Sequence, residues 1–298
     1  MADTPLCLLT VHAHPDDEAS KGAGTVARYH AEGVRTVLVT CTGGEAGDIL
    51  NPAMDRPEIK DDIAAVRRRE LDRAAAIIGY DEVVLLGYRD SGMPDTPPNA
   101  HPEAFANAPI EESVGRLVEV IRRERPQVIV TYGDDQRGYP HPDHLRVHDI
   151  SVVAFDKAGD PDAYPEAGDP WQPLKMYYTM WSRKRMEATH QRFLDLGLES
   201  PFSKEWFERR PVAAEERITT SIDISGYTDA RLDALLAHET QIDPKSPFWF
   251  GLPRDEQASI HPYDDYTLAR SLVADGTNGD GPETDLFAGV RSPATRRS

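Results

Sequence analysis

Four short apolar runs, each breaking into a polar loop and then into a helical pattern, constrain this chain more than any other feature. The first, Leu6 to Val11, is apolar almost without alternation and ends in HAHPDDE. A strand covered on both faces reads this way, whereas a strand with one wet face alternates. Val34–Thr40, Val83–Leu86 and Val128–Thr131 repeat the design and run into CTGGEAGD, GYRDSGMPDTPP and YGDDQRGYPHPDH. Helical spacing fills the intervals. Ala19–His30 closes at Gly33, and Glu58–Ile78 carries Ile63, Val66, Ala74 and Ile77 up to Gly79. Ile110–Arg125 carries Val114, Leu117, Val118 and Ile121 and stops at Pro126, and a fourth helix starts near His144 and continues through Ala154. Strand, loop and helix in repeated succession predict an α/β fold, a Rossmann-like parallel-rich sheet flanked by helices. Ligands of such sheets gather outside the carboxyl ends of the strands, so the four polar loops share one edge.

The second half is less regular. KAGDPDAYPEAGDPWQP is a loop by composition, Leu174–Met180 and Ile218–Ile224 read as strands, and Ser182–Leu196 and Tyr227–His238 read as helices, the latter with Leu232, Leu235 and Leu236 inward. IDPKSPFWFGLP sets Phe248, Trp249 and Phe250 among prolines, either as a lid or pocket wall or as plain core. Beyond Gly276 the composition predicts a mobile tail. The expected organisation is a metal-binding Rossmann-like core over 1–160, the remaining sheet with a smaller C-terminal lobe closing the active site over 161–275, and the tail over 276–298. A chain of 298 residues can bury such a core.

Charge narrows the partners. Thirty-three basic against 51 acidic residues give a net charge of -18, which disfavours nucleic acid and anionic membranes. RRRE at Arg67–Glu70 and RKR at Arg183–Arg185 are too short to reverse that, so a small neutral or zwitterionic substrate is expected. Monomer and homo-oligomer are equally open. Cys7 and Cys41 lie in strand runs and read as buried free thiols of a reducing compartment, with one disulfide between neighbouring strands as the alternative. The N-terminus lacks a basic region and a cleavage site, and no run approaches the roughly 18 to 20 apolar residues of a membrane span, so a cytoplasmic location is expected.

Two strand-end clusters carry the chemistry. HPDDE supplies His14, Asp16, Asp17 and Glu18; HPDH supplies His141, Asp143 and His144. Alone, the first is also a plausible turn with Asp17 capping the following helix. On one sheet edge the two can meet, and His14, Asp17 and His144 then form a facial set of two imidazoles and a carboxylate, suited to one zinc ion or to iron(II). Asp16 is left to act as general base on the attacking water. Glu18 supports a ligand, and His141 as imidazolium, held by Asp143, stabilises an oxyanion or assists the leaving amine. Tyr139, hanging from Gly138, either donates its hydroxyl to the same oxygen or packs on the turn. No GxxxxGK, dinucleotide GxGxxG or GxSxG pattern offers other chemistry.

The pairing of AHPDDE with HPDH resembles the zinc-dependent N-acetylglucosaminyl deacetylase family (PIG-L, LmbE-like), over Leu6 to about Ala158. The resemblance implies His14, Asp17 and His144 as zinc ligands and Asp16 as base. It further implies His141 as stabiliser of the tetrahedral intermediate, Asp143 as its tuning partner and Tyr139 as a mobile oxyanion donor. TGGEAGDILNPAMD, GYRDSGM and HETQIDPKSPFWFGLP are similar to the mycothiol branch. That implies cleavage of the cysteine-to-glucosamine amide of thiol-blocked mycothiol to a mercapturic acid and glucosaminyl-inositol. Deacetylation of N-acetyl-glucosaminyl-inositol is the alternative, against which the TGGE glycines weigh. Arg67 and Asp90 are implied on the sugar and inositol hydroxyls, Lys21 on the acyl-cysteine side and Glu45 as a further substrate-binding residue, although Arg67 by itself also reads as a solvated helix residue. A metal-binding or sugar-binding protein without turnover needs neither Asp16 nor His141.

Overall fold

The apolar run after the N-terminus forms β1 (Cys7–His12), buried at every position. Cys7, Leu9 and Val11 enter one apolar cluster and Leu8 enters the cluster on the opposite face. Both faces are covered, as continuous apolarity predicts. In this computed structural model, which describes residues 5–134, 139–208, 217–273 and 281–291, six further strands join it. They are β2 (Arg35–Thr42), β3 (Glu82–Tyr88), β4 (Val128–Tyr132), β5 (Lys175–Met180), β6 (Thr220–Asp223) and β7 (Tyr263–Ser271). One sheet results, in the order β3-β2-β1-β4-β5-β7-β6. β1 to β5 pair in parallel, and β7 is antiparallel to β5 and β6. The fold is α/β with a mixed, mostly parallel sheet. Residues beyond 160 extend this sheet through β5, β7 and β6.

Helices in the first half are α1 (Asp17–Ser20), α2 (Ala23–Ala31), α3 (Pro57–Lys60), α4 (Ile63–Ile78), α5 (Ile110–Glu124) and α6 (Pro142–Lys157). Those of the second half are α7 (Arg183–Asp195), α8 (Lys204–Glu208), α9 (Thr228–Ala237), α10 (Pro247–Phe250) and α11 (Arg254–Ile260). α5 buries Val114, Leu117, Val118 and Ile121 as its periodicity predicts. Two expected helices are each divided. Gly22, at φ 88°, separates α1 from α2, and a Cβ there would lie 2.9 Å from the Tyr266 hydroxyl. Asp62, at φ -130° and ψ 32°, separates α3 from α4.

Residues 281–291 depart from the expected mobile tail. Leu286 and Phe287 are fully buried in the cluster that holds Tyr29 and Tyr177, and Glu283 pairs with Lys175, itself buried inside β5. Leu286 and Phe287, with Val290 against the same cluster, dock this segment. Cys7 and Cys41 are free and buried. No helix of the described residues is long and apolar enough to cross a membrane.

From β1 the sheet continues through β2 and β3 to one side and through β4 and β5 to the other. The crevice at the carboxyl ends of β1 and β4 is therefore the topological switch point, where ligands of such sheets bind.

Candidate metal centre and its cavity

The chain leaving β1 is tied to the end of β4. The Tyr132 hydroxyl accepts the Ala13 N–H at 3.1 Å and lies 3.3 Å from His12 Nδ1. The next turn folds on itself: His14 N–H donates to Asp17 Oδ2 at 3.0 Å, and Asp16 takes a left-handed backbone at φ 106°. Such a backbone costs a non-glycine residue on the order of 1–3 kcal/mol and must be held by its surroundings. Arg67, only 2% exposed, supplies much of the hold. From α4 its guanidinium donates to Pro15 O at 2.6 Å, to Asp16 Oδ2 at 3.2 Å and to Gly44 O. The glycine loop after β2 wraps the same guanidinium. A Cβ at Gly44 would lie 2.5 Å from its Cζ and one at Gly47 2.7 Å from its NH1 nitrogen, so these glycines accommodate an internal cation.

α6 delivers the second cluster. Pro142 opens the helix and His141 caps it, its Nδ1 accepting the Asp143 N–H at 3.2 Å. His14 and His141 meet edge to face at 4.5 Å between centroids, and His144 stands 5.4 Å from His14. Asp17 Oδ2 lies 3.5 Å from His14 Nδ1 and 3.4 Å from His144 Nε2. The three buried residues present donor atoms within 4.8 Å of one another, a His/Asp set capable of holding a divalent metal. A second set within the same reach, His14, Asp90, His141 and Asp143, shares His14.

Asp143 departs from the expected arrangement. Its carboxylate serves His14, accepting from Nε2 at 3.1 Å, and is anchored by Ser91 N–H at 3.0 Å and by the Ser91 hydroxyl. Toward His141 it offers the backbone N–H. With a cation bound and Nε2 donating to Asp143, His14 Nδ1 would turn a lone pair toward the space shared with Asp17 and His144, the usual way an outer carboxylate sets a ligating imidazole.

Electrostatics fit a cation. Burial acts to lower His14, but hydrogen bonds to Asp143, Asp17 and Asp90 outweigh it and hold the imidazole well above its ordinary range. Three carboxylates thus converge on one ring, an excess of negative charge that a divalent ion offsets. Burial would raise Asp17, yet Lys21 and His144 keep it well below the usual carboxylate range, and burial lowers His144 toward the neutral form a metal requires. Burial, opposed by Arg67, pushes the Asp16 carboxyl up to about 6. His141 differs from the expected imidazolium: burial, together with the neighbouring His14, pulls it down to about 4. At neutral pH it is an uncharged ring whose Nδ1 is already an acceptor, so its proton sits on Nε2.

A cavity of about 720 Å³ opens over this centre, within the range of small-molecule sites. His14, Asp16, Asp17, Lys21, Arg67, Asp90, Tyr139, His141 and His144 all line it. Lys21 Nζ pairs with Asp17 Oδ1 at 2.5 Å. Asp90 accepts the Gly92 and Ala46 N–H groups at 2.8 and 3.1 Å. Tyr139 is half exposed at the mouth, stacked on His141; Gly138 lies outside the described residues. Glu45 accepts the Asp90 N–H at 3.0 Å, one step behind the cavity lining. Trp181, Phe248 and Trp249 form an aromatic part of the cavity lining, and Phe250 packs in the core cluster with Trp249.

Ser91, Tyr132 and His238 join the site without a motif to mark them. Tyr132 had a signal, as the last residue of a strand ending at the site; the other two reach it only through the fold.

Comparison with known proteins places this arrangement. Residues 9–155 match the PIG-L model, GlcNAc-PI de-N-acetylase. The chain is 47% identical to mycothiol S-conjugate amidase of Streptomyces coelicolor, over 97% of this chain and 99% of that one. It is 40% identical to 1D-myo-inositol 2-acetamido-2-deoxy-alpha-D-glucopyranoside deacetylase of Streptomyces avermitilis, over 95% and 97%. Among solved structures, N,N'-diacetylchitobiose deacetylase from Pyrococcus horikoshii shares the fold, with a TM-score of 0.60 at 17% identity, covering 89% of this chain and 84% of that one.

Proposed function

The chain belongs to the PIG-L family of GlcNAc-PI de-N-acetylases, and from that premise we propose that it hydrolyses the cysteinyl-glucosamine amide of mycothiol S-conjugates. The products are a mercapturic acid and 1-O-glucosaminyl-inositol. The observation that carries this reading is the 47% identity to the amidase over nearly both full lengths, against 40% to the deacetylase. Deacetylation of the N-acetylated glucosaminyl-inositol is the second reading, supported by that 40% relative.

His14, Asp17 and His144 would hold a zinc ion, the preference of two imidazoles and a carboxylate, and the same triad accepts iron(II). Such an ion, when bound, polarises the amide carbonyl and acidifies the attacking water. Asp16 takes the proton of that water. With its carboxyl at about 6 it is ionised at neutral pH and still basic enough to act, and Arg67 holds one of its oxygens. As the water oxygen bonds to the carbonyl carbon, His141 Nε2–H donates to the developing oxyanion, and Tyr139 adds its hydroxyl from the mouth. Asp16 then returns the proton to the glucosamine nitrogen as the C–N bond breaks. Asp143 aligns His14. Asp90 takes sugar hydroxyls, and Lys21 and the wall of Trp181, Phe248 and Trp249 take the acyl-cysteine with its sulfur substituent. Arg67 serves here by bracing the Asp16 turn, and Glu45 by holding Asp90. Two buried free thiols support a reducing, cytoplasmic setting.

The test is parallel turnover of a bimane-labelled mycothiol conjugate and of N-acetyl-glucosaminyl-inositol by the zinc-loaded protein. A larger kcat/KM for the conjugate is expected; a larger one for the acetylated sugar overturns the assignment.

A further inference from the structure

Beneath Asp16 runs a buried chain that the mechanism leaves unused. His238, immediately after α9 and fully buried, meets Glu18 Oε1 through Nε2 at 2.5 Å. Glu18, equally buried, turns its other oxygen to the Asp16 N–H at 2.9 Å. With Glu18 ionised, His238 Nε2 is the donor. His238 Nδ1 has no hydrogen-bond partner among the described residues, so Glu18 is the ring's one polar engagement. The Asp16 N–H is held here against a backbone at φ 106°, a conformation that relaxes unless held. The residues after His238 wall the cavity: Gln241, Ile242, Phe248 and Trp249 line it, and Thr240 is fastened to Glu70 of α4 through its N–H at 2.9 Å and its hydroxyl at 2.7 Å.

We infer that His238 is a positioning residue for the general base: through Glu18 it clamps the Asp16 N–H and keeps the left-handed turn that aims the Asp16 carboxylate into the cavity. The inference rests on the reading of Asp16 as base. An apolar residue could fill the volume of His238, but it would leave Glu18 as an unpaired buried carboxylate beside two further acids, Asp16 and Asp17. Without its ring partner the Glu18 carboxylate turns, and the Asp16 N–H loses its fixed acceptor.

The experiment uses the zinc-loaded full chain with the bimane-labelled conjugate and reads kcat, KM, zinc per chain and Tm for His238→Ala, His238→Gln, Thr240→Val and Asp16→Asn. Because an error of about 1 Å at a reacting group costs about 100-fold, His238→Ala is expected to lower kcat about 10- to 100-fold, with KM within about twofold and zinc retained. His238→Gln, whose amide N–H reaches Glu18, is expected to restore kcat to within about fivefold of the parent. Thr240→Val loosens the same segment without touching Glu18 and is expected to lower kcat less than His238→Ala does; an equal or larger loss assigns the effect to the segment and overturns the inference. If His238→Ala does not fold, His238→Asn, too short to reach Glu18, replaces it in the comparison with His238→Gln. Parental kcat in His238→Ala, a loss that follows zinc content, or a glutamine variant no better than alanine or asparagine overturns the inference. An Asp16→Asn variant as active as the parent overturns the base reading itself; its loss beside an undiminished His238→Ala overturns the positioning role alone.

Discussion

Replacing Asp143 with alanine separates two roles for one carboxylate. In the structure Asp143 Oδ2 accepts from His14 Nε2 at 3.1 Å and from Ser91 N–H at 3.0 Å, with no exposure to solvent. Truncation frees His14 to rotate or change tautomer, so Nδ1 is no longer presented to the metal. Loss of such an outer partner costs about 10- to 100-fold in metal affinity, which is about 1.4–2.7 kcal/mol. The stranded Ser91 N–H adds an unsatisfied buried donor of about 1–3 kcal/mol in folding. At about 2 cal/mol/K of unfolding entropy per residue, that lowers Tm by about 2–5 °C. The assay is zinc affinity by competition against a chelator, followed by kcat at saturating zinc. Weaker zinc binding, with kcat largely recovered by excess metal, is expected. Zinc affinity within about twofold of the parent, with kcat depressed at saturation, would refute the reasoning and return Asp143 to His141.

Lys175→Met takes the ammonium away from the buried Glu283 carboxylate, leaving it the hydroxyls of Tyr177 at 2.5 Å and Thr220 at 3.2 Å in place of a countercharge. A loss of about 3–5 kcal/mol is expected, read as a Tm about 5–8 °C lower by scanning calorimetry, with part recovered on adding Glu283→Gln. A Tm within about 1 °C of the parent would show that the pair contributes nothing. Burial pushes the Cys7 thiol up to about 12 and Cys41 well above its ordinary value. A raised thiol stays protonated through the neutral and mildly alkaline range, so iodoacetamide at about pH 8 is expected to label neither until the chain unfolds; rapid labelling of the native protein by mass spectrometry contradicts this.

The legible parts of the molecule were those written locally. β1 declared itself because both its faces are buried, and HPDDE and HPDH because a strand end concentrates donors within a few residues. Pairings between distant segments were not legible. A carboxylate at 143 can serve an imidazole two positions before it or one 129 positions before it, and only the approach of α6 to the β1 turn selects His14. Arg67 reads equally as a solvated helix residue and as a hydroxyl-binding one, because a guanidinium needs carbonyl acceptors to be buried, and those come from Pro15 and Gly44 on other elements. The glycines around it permitted a close approach without saying to what. β7, with the sequence YDDYTLARS, lacks strong apolar alternation and owes its strand to the neighbours on either side.

The place of β7 between β5 and β6 also governs how the protein is made. Synthesis proceeds from the N-terminus at about 5–20 residues per second, so the roughly 90 residues between the end of β5 and the end of β7 take about 5–20 s to emerge. During that interval the first five strands can assemble, yet the outer edge of β5, with its Met-Tyr-Tyr-Thr run, has no partner. An open edge of that kind is a template for pairing with other chains. The nascent chain therefore passes through a window of vulnerability whose length is set by strand order, and slower translation between residues 180 and 271 would widen it.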